Sequence, residues 1–260
     1  MRTGAAIVGL LIAVALLSLV WTPHDPAAID VAVRLAPASA AHWLGTDQLG
    51  RDVAAMLMAG ARVSLGVSIA AIGGALLIGI PIGLLAAARG GWTDALLMRS
   101  ADMLFAFPAL LIAVLLAATL GPGAGNAALA IGLFNVPVFA RVTRGAARSL
   151  WQRDFIAAAR LAGRGPLAIS AAHILPNILG TIAVQATIQL SLALIAEAGL
   201  SYVGLGVQPP APSWGRMLEE GQTLLGIAPR LAILPGLAIL IAVLGFSLLG
   251  DGLRDRLERR

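Results

Sequence analysis

The side chains of this chain best equipped for chemistry are three histidines, His24, His42 and His173, and one carboxylate set in an apolar run, Glu197. His24 and His42 lie in a polar stretch. No His-Glu-x-x-His pattern surrounds them and no acidic partner stands at zinc spacing, so no metal site is predicted. His173 precedes Pro176 at the edge of an apolar run, where a structural hydrogen bond is expected rather than a proton relay. A carboxylate at mid-membrane costs roughly 2.5–3.5 kcal/mol to insert. Glu197 is therefore expected near one end of its helix, either holding the Gly199–Gly206 loop or meeting a cationic group of a passing solute. Cysteine is absent, which excludes disulfides and thiolate chemistry, and every one of the 18 basic residues is Arg. A Walker A loop needs its Lys to reach nucleotide phosphates, so this chain is not a P-loop ATPase. With no Gly-x-Ser-x-Gly elbow either, no catalytic, cofactor-binding or metal-binding residue is predicted.

The elements that must position these groups are apolar. The chain is 59% hydrophobic and 12% charged, with a mean hydropathy of +0.91, where soluble proteins carry roughly 25% charged residues. Lipid is the expected solvent, because several runs approach the ~20 residues that cross a bilayer. Six transmembrane helices are predicted: about Ala5 to Val20, Ser64 to Ala88, Met103 to Leu120, Ala127 to Val142, Pro176 to Ala198 and Leu231 to Leu249. The first leads into Trp21-Thr22-Pro23, not a small-residue cleavage site, and is read as an anchored span instead of a signal peptide. Pro81, Pro108 and Pro137 are expected to kink their spans, and Gly79 and Gly83 form a Gly-x-x-x-Gly pair. With the N-terminus inside, the inner segments hold 13 Arg, including Arg259 and Arg260, and the outer ones hold five. Both termini are therefore predicted to be cytoplasmic. Residues 1–21 form the first span, 22–61 a periplasmic region, and 62–252 a five-helix core with a cytoplasmic loop at 148–172 and a periplasmic loop at 199–230. Residues 253–260 form a cytoplasmic tail. The Arg residues track membrane edges instead of forming one basic stripe, so nucleic acid is not an expected partner.

Asn177, Thr181, Gln185 and Gln189 recur at steps of four on the fifth span, and the same step leads through Ala193 to Glu197. Each step advances about 40°, so the first four cover an arc of about 120°. Such a stripe either lines a solute path or makes interhelical hydrogen bonds. In the loop between the fourth and fifth spans, Asp154 to Ala162 reads as a short helix. Asp154 suits its N-terminal end, Phe155 and Ile156 offer apolar contact, and Gly163 followed by Gly165-Pro166 stops it. A helix of this length is not stable alone and needs a partner surface or lipid headgroups.

Taken in order, the motifs resemble one family. They are Gly45-Thr46-Asp47-Gln48-Leu49-Gly50-Arg51-Asp52, Gly60-Ala61-Arg62-x-Ser64-Leu65, Ala158-Ala159-Arg160-Leu161-Ala162-Gly163 with His173-x-Leu175-Pro176, Gly204-Leu205-Gly206-Val207-Gln208-Pro209-Pro210, Pro212-Ser213-Trp214-Gly215, and Leu249-Gly250-Asp251-Gly252-Leu253-Arg254-Asp255. Together they resemble the C-type permease subunits of dipeptide, oligopeptide and nickel ABC importers. The resemblance implies an all-α integral membrane protein of the type I ABC importer permease kind, in a bacterial inner membrane. It implies a heterodimer with a second related permease, two ATPase subunits that carry the ATP and Mg, and a periplasmic substrate-binding protein. ATPase coupling would fall to Asp154, Phe155, Ile156, Ala157, Ala158, Ala159, Arg160 and Gly163. The path would fall to Asn177, Thr181, Gln185, Gln189 and Glu197, and binding-protein docking to Gln208, Pro209, Pro210 and Trp214. The family has Glu-Ala-Ala where this chain has Ala157-Ala158-Ala159, which keeps helix propensity but removes any polar contact that Glu makes. Peptides are the expected cargo, with a nickel chelate or another small solute as the alternative; bare nickel would need Cys or His ligands that the spans lack. An ATP-independent channel or ion-coupled carrier is the rival class. It would call for ionisable residues within the spans, and Glu197, with Asp102 at an edge, is all the chain offers.

Overall fold

The computed structural model describes residues 2–258, so Arg259 and Arg260 of the predicted inner tail lie outside the described residues. Helix α1 spans Arg2–Leu17, α2 Val53–Arg89, α3 Gly91–Ala106, α4 Ala109–Leu120, α5 Ala124–Trp151, α6 Asp154–Leu161, α7 Pro166–Ile169, α8 Leu175–Tyr202, α9 Trp214–Gln222 and α10 Arg230–Glu258. Among the described residues no strand forms; an isolated antiparallel bridge joins Thr46 and Asp52.

Four helical segments are long and apolar enough to cross a membrane: Val53–Arg89, Ala124–Trp151, Pro166–Tyr202 and Arg230–Leu257. The third predicted span is broken. Its halves, Gly91–Ala106 and Ala109–Leu120, meet at an angle of 80° and make a fifth crossing only as a pair. Pro108 explains the break. It has no N–H to donate and pushes the preceding residue out of the helical region, and Phe107 sits at φ −91°, ψ 130°. Helix α1 has 16 residues, a rise of about 24 Å against a hydrocarbon core of about 30 Å.

Most helices outrun their apolar stretches. Helix α2 starts at Val53, not Ser64, because Asp52 caps it by accepting from Ala55 N at 2.8 Å; the first predicted loop therefore ends at 52 rather than 61. Helix α5 continues past Val142 through charged turns whose charges are met by α3. Arg141 pairs with Asp102, Arg144 holds Asp94 through two nitrogens, and Arg148 lies 3.7 Å from the same carboxylate. A π-helical turn at Ser170–Ile174 joins α7 to α8, accommodating Pro176, which cannot donate to the preceding turn. Helix α10 runs on to Glu258, so most of the predicted tail is helical.

The core lies in three apolar groups. One joins α1, the start of α2, α9 and α10 around Trp214 and Phe246. A second joins α2, α4, α5 and α8 around Phe139 and Ile72. The third gathers Ala147, Ile156, Ile169, Ile174, Ile178 and Ile182 beside α6. The Gly79–Gly83 pair has a definite use in this packing. A Cβ at Gly79 would fall 2.8 Å from both Phe139 Cβ and Val136 O, and one at Gly83 would fall 2.5 Å from Ala140 O. Glycine there lets α2 and α5 approach backbone to backbone.

Candidate functional site

Helix α6 is held at one end of the bundle chiefly by Ile156, with Ala159 packed beside it. Ile156 is fully buried against Ile169, Ile174 and Ile178, whereas Asp154, Phe155, Ala157, Ala158 and Arg160 are exposed and Ala159 is half-buried. The expectation that Ile156 faces a partner is corrected, because it supplies this chain's own grip on the helix. The outward apolar groups are Phe155 and Leu161, 46% and 91% exposed. Asp154 is the first helical residue, not the cap, and the cap position, Arg153, makes no side-chain bond; Asp154 acts on the helix dipole alone. The C-terminal stop is a Schellman turn. Gly163, at φ +77°, donates to Arg160 O at 2.9 Å, and Arg164 N reaches Ala159 O at 3.2 Å. Only glycine takes that φ without strain. Arg160 lies over the Trp151 ring, 4.8 Å from its centroid, and the Arg164 guanidinium stands 3.2 Å from His173 Nε2. Ala157 faces outward, so the missing family Glu costs this chain no internal contact.

The polar stripe of α8 splits. Asn177 and Thr181 are exposed, Gln185 is half-buried, and Gln189 is buried at the wall of a cavity of about 490 Å³ between α4, α5 and α8. Asn135 is the other polar side chain at that wall, among Leu110, Ile131, Phe134 and Leu192; the sequence reading missed it because it lies on α5, outside the stripe. Glu197, expected on the same path, is set apart from the exposed part of the stripe. It is fully buried, turned toward α2 and α9. Five steps of 40° carry it about 200° round the helix from Asn177. Its Oε1 accepts from Ser201 Oγ at 2.8 Å, and Ser201 Oγ accepts from Val207 N at 3.1 Å. The hydroxyls of Ser64 and Ser213 lie near the carboxylate without bonding Oε2. Glu197 thus anchors the turn after α8.

At the opposite end from α6, residues 18–52 and 203–229 form a cap tied by charge. Arg51 donates to Asp47 at 2.6 Å and to Glu220 of α9, and Arg216 donates to the same Glu220 at 2.9 Å. Burial pulls the Arg51 guanidinium down, but the carboxylates of Glu220 and Asp47 outweigh it and hold Arg51 above its ordinary value. Arg230 reaches the carbonyls of Leu35 and Ala36 at 3.0 and 2.8 Å. Trp214, expected to serve in binding-protein docking, is buried in this chain. It is 2% exposed, its indole Nε1 donates to Leu57 O at 3.1 Å and its backbone N to Ser64 Oγ at 3.2 Å. Gln208 is half-buried and turned back on Gly204 O and Gly206 O. Of the predicted docking residues, Pro209 and Pro210 remain exposed, with Ala211 beside them. His24 and His42, expected to lack an acidic partner, both meet Asp52. Their Nδ1 atoms lie 3.3 and 2.9 Å from its Oδ2, brought there by a loop fold that linear spacing does not report.

Comparison with known proteins matches this architecture. Residues 79–260 match the family model described as binding-protein-dependent transport system inner membrane component. The chain is 44% identical to a glutathione transport system permease protein of Pectobacterium atrosepticum, over 85% of this chain and 73% of that one. It is 42% identical to a dipeptide transport system permease protein of Alkalihalophilus pseudofirmus, over 97% of this chain and 85% of that one. Its fold is similar to a chain from an inward-facing conformation of the MetNI methionine ABC transporter, with a TM-score of 0.63 at 21% identity, covering 78% of this chain and 96% of that chain. This multi-pass membrane protein belongs to the family of binding-protein-dependent transport system inner membrane components.

Proposed function

We propose that the chain is one of two paired permease subunits in a bacterial inner membrane, importing short peptides at the expense of ATP hydrolysed by two partner ATPases. The observation that carries this reading is helix α6, a short helix stapled to its own bundle by Ile156 while its Phe155 face is left open. A helix gripped on one side and bare on the other transmits force when a partner moves it. The partners bind the ATP and Mg, since this chain has no Lys for a phosphate loop and is assigned no catalysis of its own.

Six crossings follow if α1 spans and α3–α4 cross as one unit, with both termini in the cytoplasm and α6 beside them. The 13-to-five Arg asymmetry favours that orientation. The second, related permease is assigned to the open face of α8, with the path between them. Asn177, Thr181 and Gln185 would line it, and Gln189 and Asn135 would line the adjoining cavity. Peptide cargo rests on the two relatives named for dipeptide and glutathione transport. The Pro209–Ala211 tip is the place assigned to a periplasmic binding protein. The test is uptake of a radiolabelled dipeptide into proteoliposomes carrying the co-purified assembly. Uptake that needs ATP inside and binding protein outside is expected; uptake that persists without ATP would replace the importer with a carrier or channel.

A further inference from the structure

We infer that His24, His42 and Asp52 form a binding site for one divalent transition-metal ion of the zinc class, clamping the segment after α1 to the N-terminus of α2. Three residues well separated along the chain bring their ligand atoms within 4.8 Å of one another. The convergence is specific, since both imidazoles present Nδ1 to a single oxygen, Asp52 Oδ2, at 3.3 and 2.9 Å. A tetrahedral ion with bonds of about 2.0–2.1 Å has ligand atoms about 3.3–3.4 Å apart; the two nitrogen-to-oxygen distances, 3.3 and 2.9 Å, are close to that edge, and the three ligand atoms stay within 4.8 Å of one another, so a small turn of the exposed His24 ring completes three corners.

The site is also held in place before any ion arrives. Asp52 is buried, and its other oxygen, Oδ1, is engaged by Ala55 N at 2.8 Å. Ser39 Oγ accepts from His42 N at 3.1 Å, while Ser39 N and Gly45 N donate to His42 O at 2.8 and 2.9 Å. Thr22 Oγ1 donates to His24 O at 2.7 Å. The rings of His24 and His42 lie 4.7 Å apart, beside a second ring pair, Trp21 and Trp43, at 6.3 Å. Ion binding needs only that each neutral imidazole carry its proton on Nε2 and offer Nδ1. The His24 side chain is 43% exposed, leaving a way in for the ion and a fourth position for water. Two imidazoles and one carboxylate suit zinc, cobalt or nickel, whereas magnesium and calcium take all-oxygen sets. A simple hydrogen-bonded latch would need one imidazole, not two on the same oxygen.

The experiment is a cobalt titration of the full chain in lipid nanodiscs with its co-extracting subunits, followed by visible absorption, with displacement by zinc. The expected result is one cobalt-dependent visible band per chain, lost on adding one equivalent of zinc. His24→Ala should weaken binding about tenfold or more, and His24→Ala with His42→Ala should abolish the band. Asp52→Asn keeps a capping side chain and should weaken the ion without lowering the metal-free unfolding temperature. No band in the wild type at about 100 μM cobalt, or a band unchanged in the double variant, would overturn the site.

Discussion

Ser201 donates its hydroxyl proton to Glu197 Oε1 across 2.8 Å, one turn apart on α8, and the same hydroxyl receives Val207 N from the following loop. A carboxylate in an apolar helix is thus spent on closing the turn after α8, where Gly204 adopts φ +78°. Glu197→Gln keeps the acceptor and should leave assembly intact. Glu197→Ala takes away the acceptor of the buried Ser201 hydroxyl proton, a loss that costs about 1–3 kcal/mol, and should lower the unfolding temperature in detergent. Equal unfolding temperatures for Ala and wild type would contradict that anchoring role.

The contact of α2 with α5 admits no side chain at Gly83. Gly83→Leu should sharply reduce the monodisperse fraction in size-exclusion chromatography, since overpacking costs about 1–3 kcal/mol even when the backbone yields. Gly74→Leu, on the same helix where nothing lies within 4 Å of the added Cβ, is the control and should behave as wild type. Equal loss in both would show that close approach at Gly83 is not what the variant disrupts, since leucine is the better helix former at either position.

Trp214 and the Pro209–Ala211 tip should separate by readout. Trp214→Ala removes a buried aromatic, a change that costs about 3–5 kcal/mol in cores, and should destabilise the protein whether or not a binding protein is present. Ala211→Trp adds bulk to an exposed tip and should leave the unfolding temperature unchanged while reducing binding-protein stimulation of ATP hydrolysis. Stimulation unaffected by Ala211→Trp would move the docking surface elsewhere.

How much of this was legible in the sequence depends on what each residue answers to. The helices were readable because lipid selects long apolar runs, but their ends were not. Hydropathy stops near Val142, while α5 continues because Asp94 and Asp102 on α3 neutralise Arg144 and Arg141. The α6 stop at Gly163 and Gly165-Pro166 was written locally and read correctly. Which face of α6 turns inward was not, since Phe155 and Ile156 are equally apolar and only the isoleucine pocket from α7 and α8 distinguishes them. That Glu197 faces away from Asn177 was readable by carrying the 40° step to its end. Trp214 and the His24–His42–Asp52 cluster depend on loops folding across long sequence separations, which no local pattern encodes.

The most direct test of coupling through α6 is affinity capture of the tagged chain from its native membrane, wild type beside Phe155→Asp, with the co-purifying subunits quantified. Phe155 is exposed, so a charge there should not disturb this chain's own fold. The prediction is that wild type brings down a second permease and an ATPase, and that Phe155→Asp keeps the permease but loses most of the ATPase. Full retention of the ATPase by Phe155→Asp, or a wild-type chain that comes down alone, would contradict it.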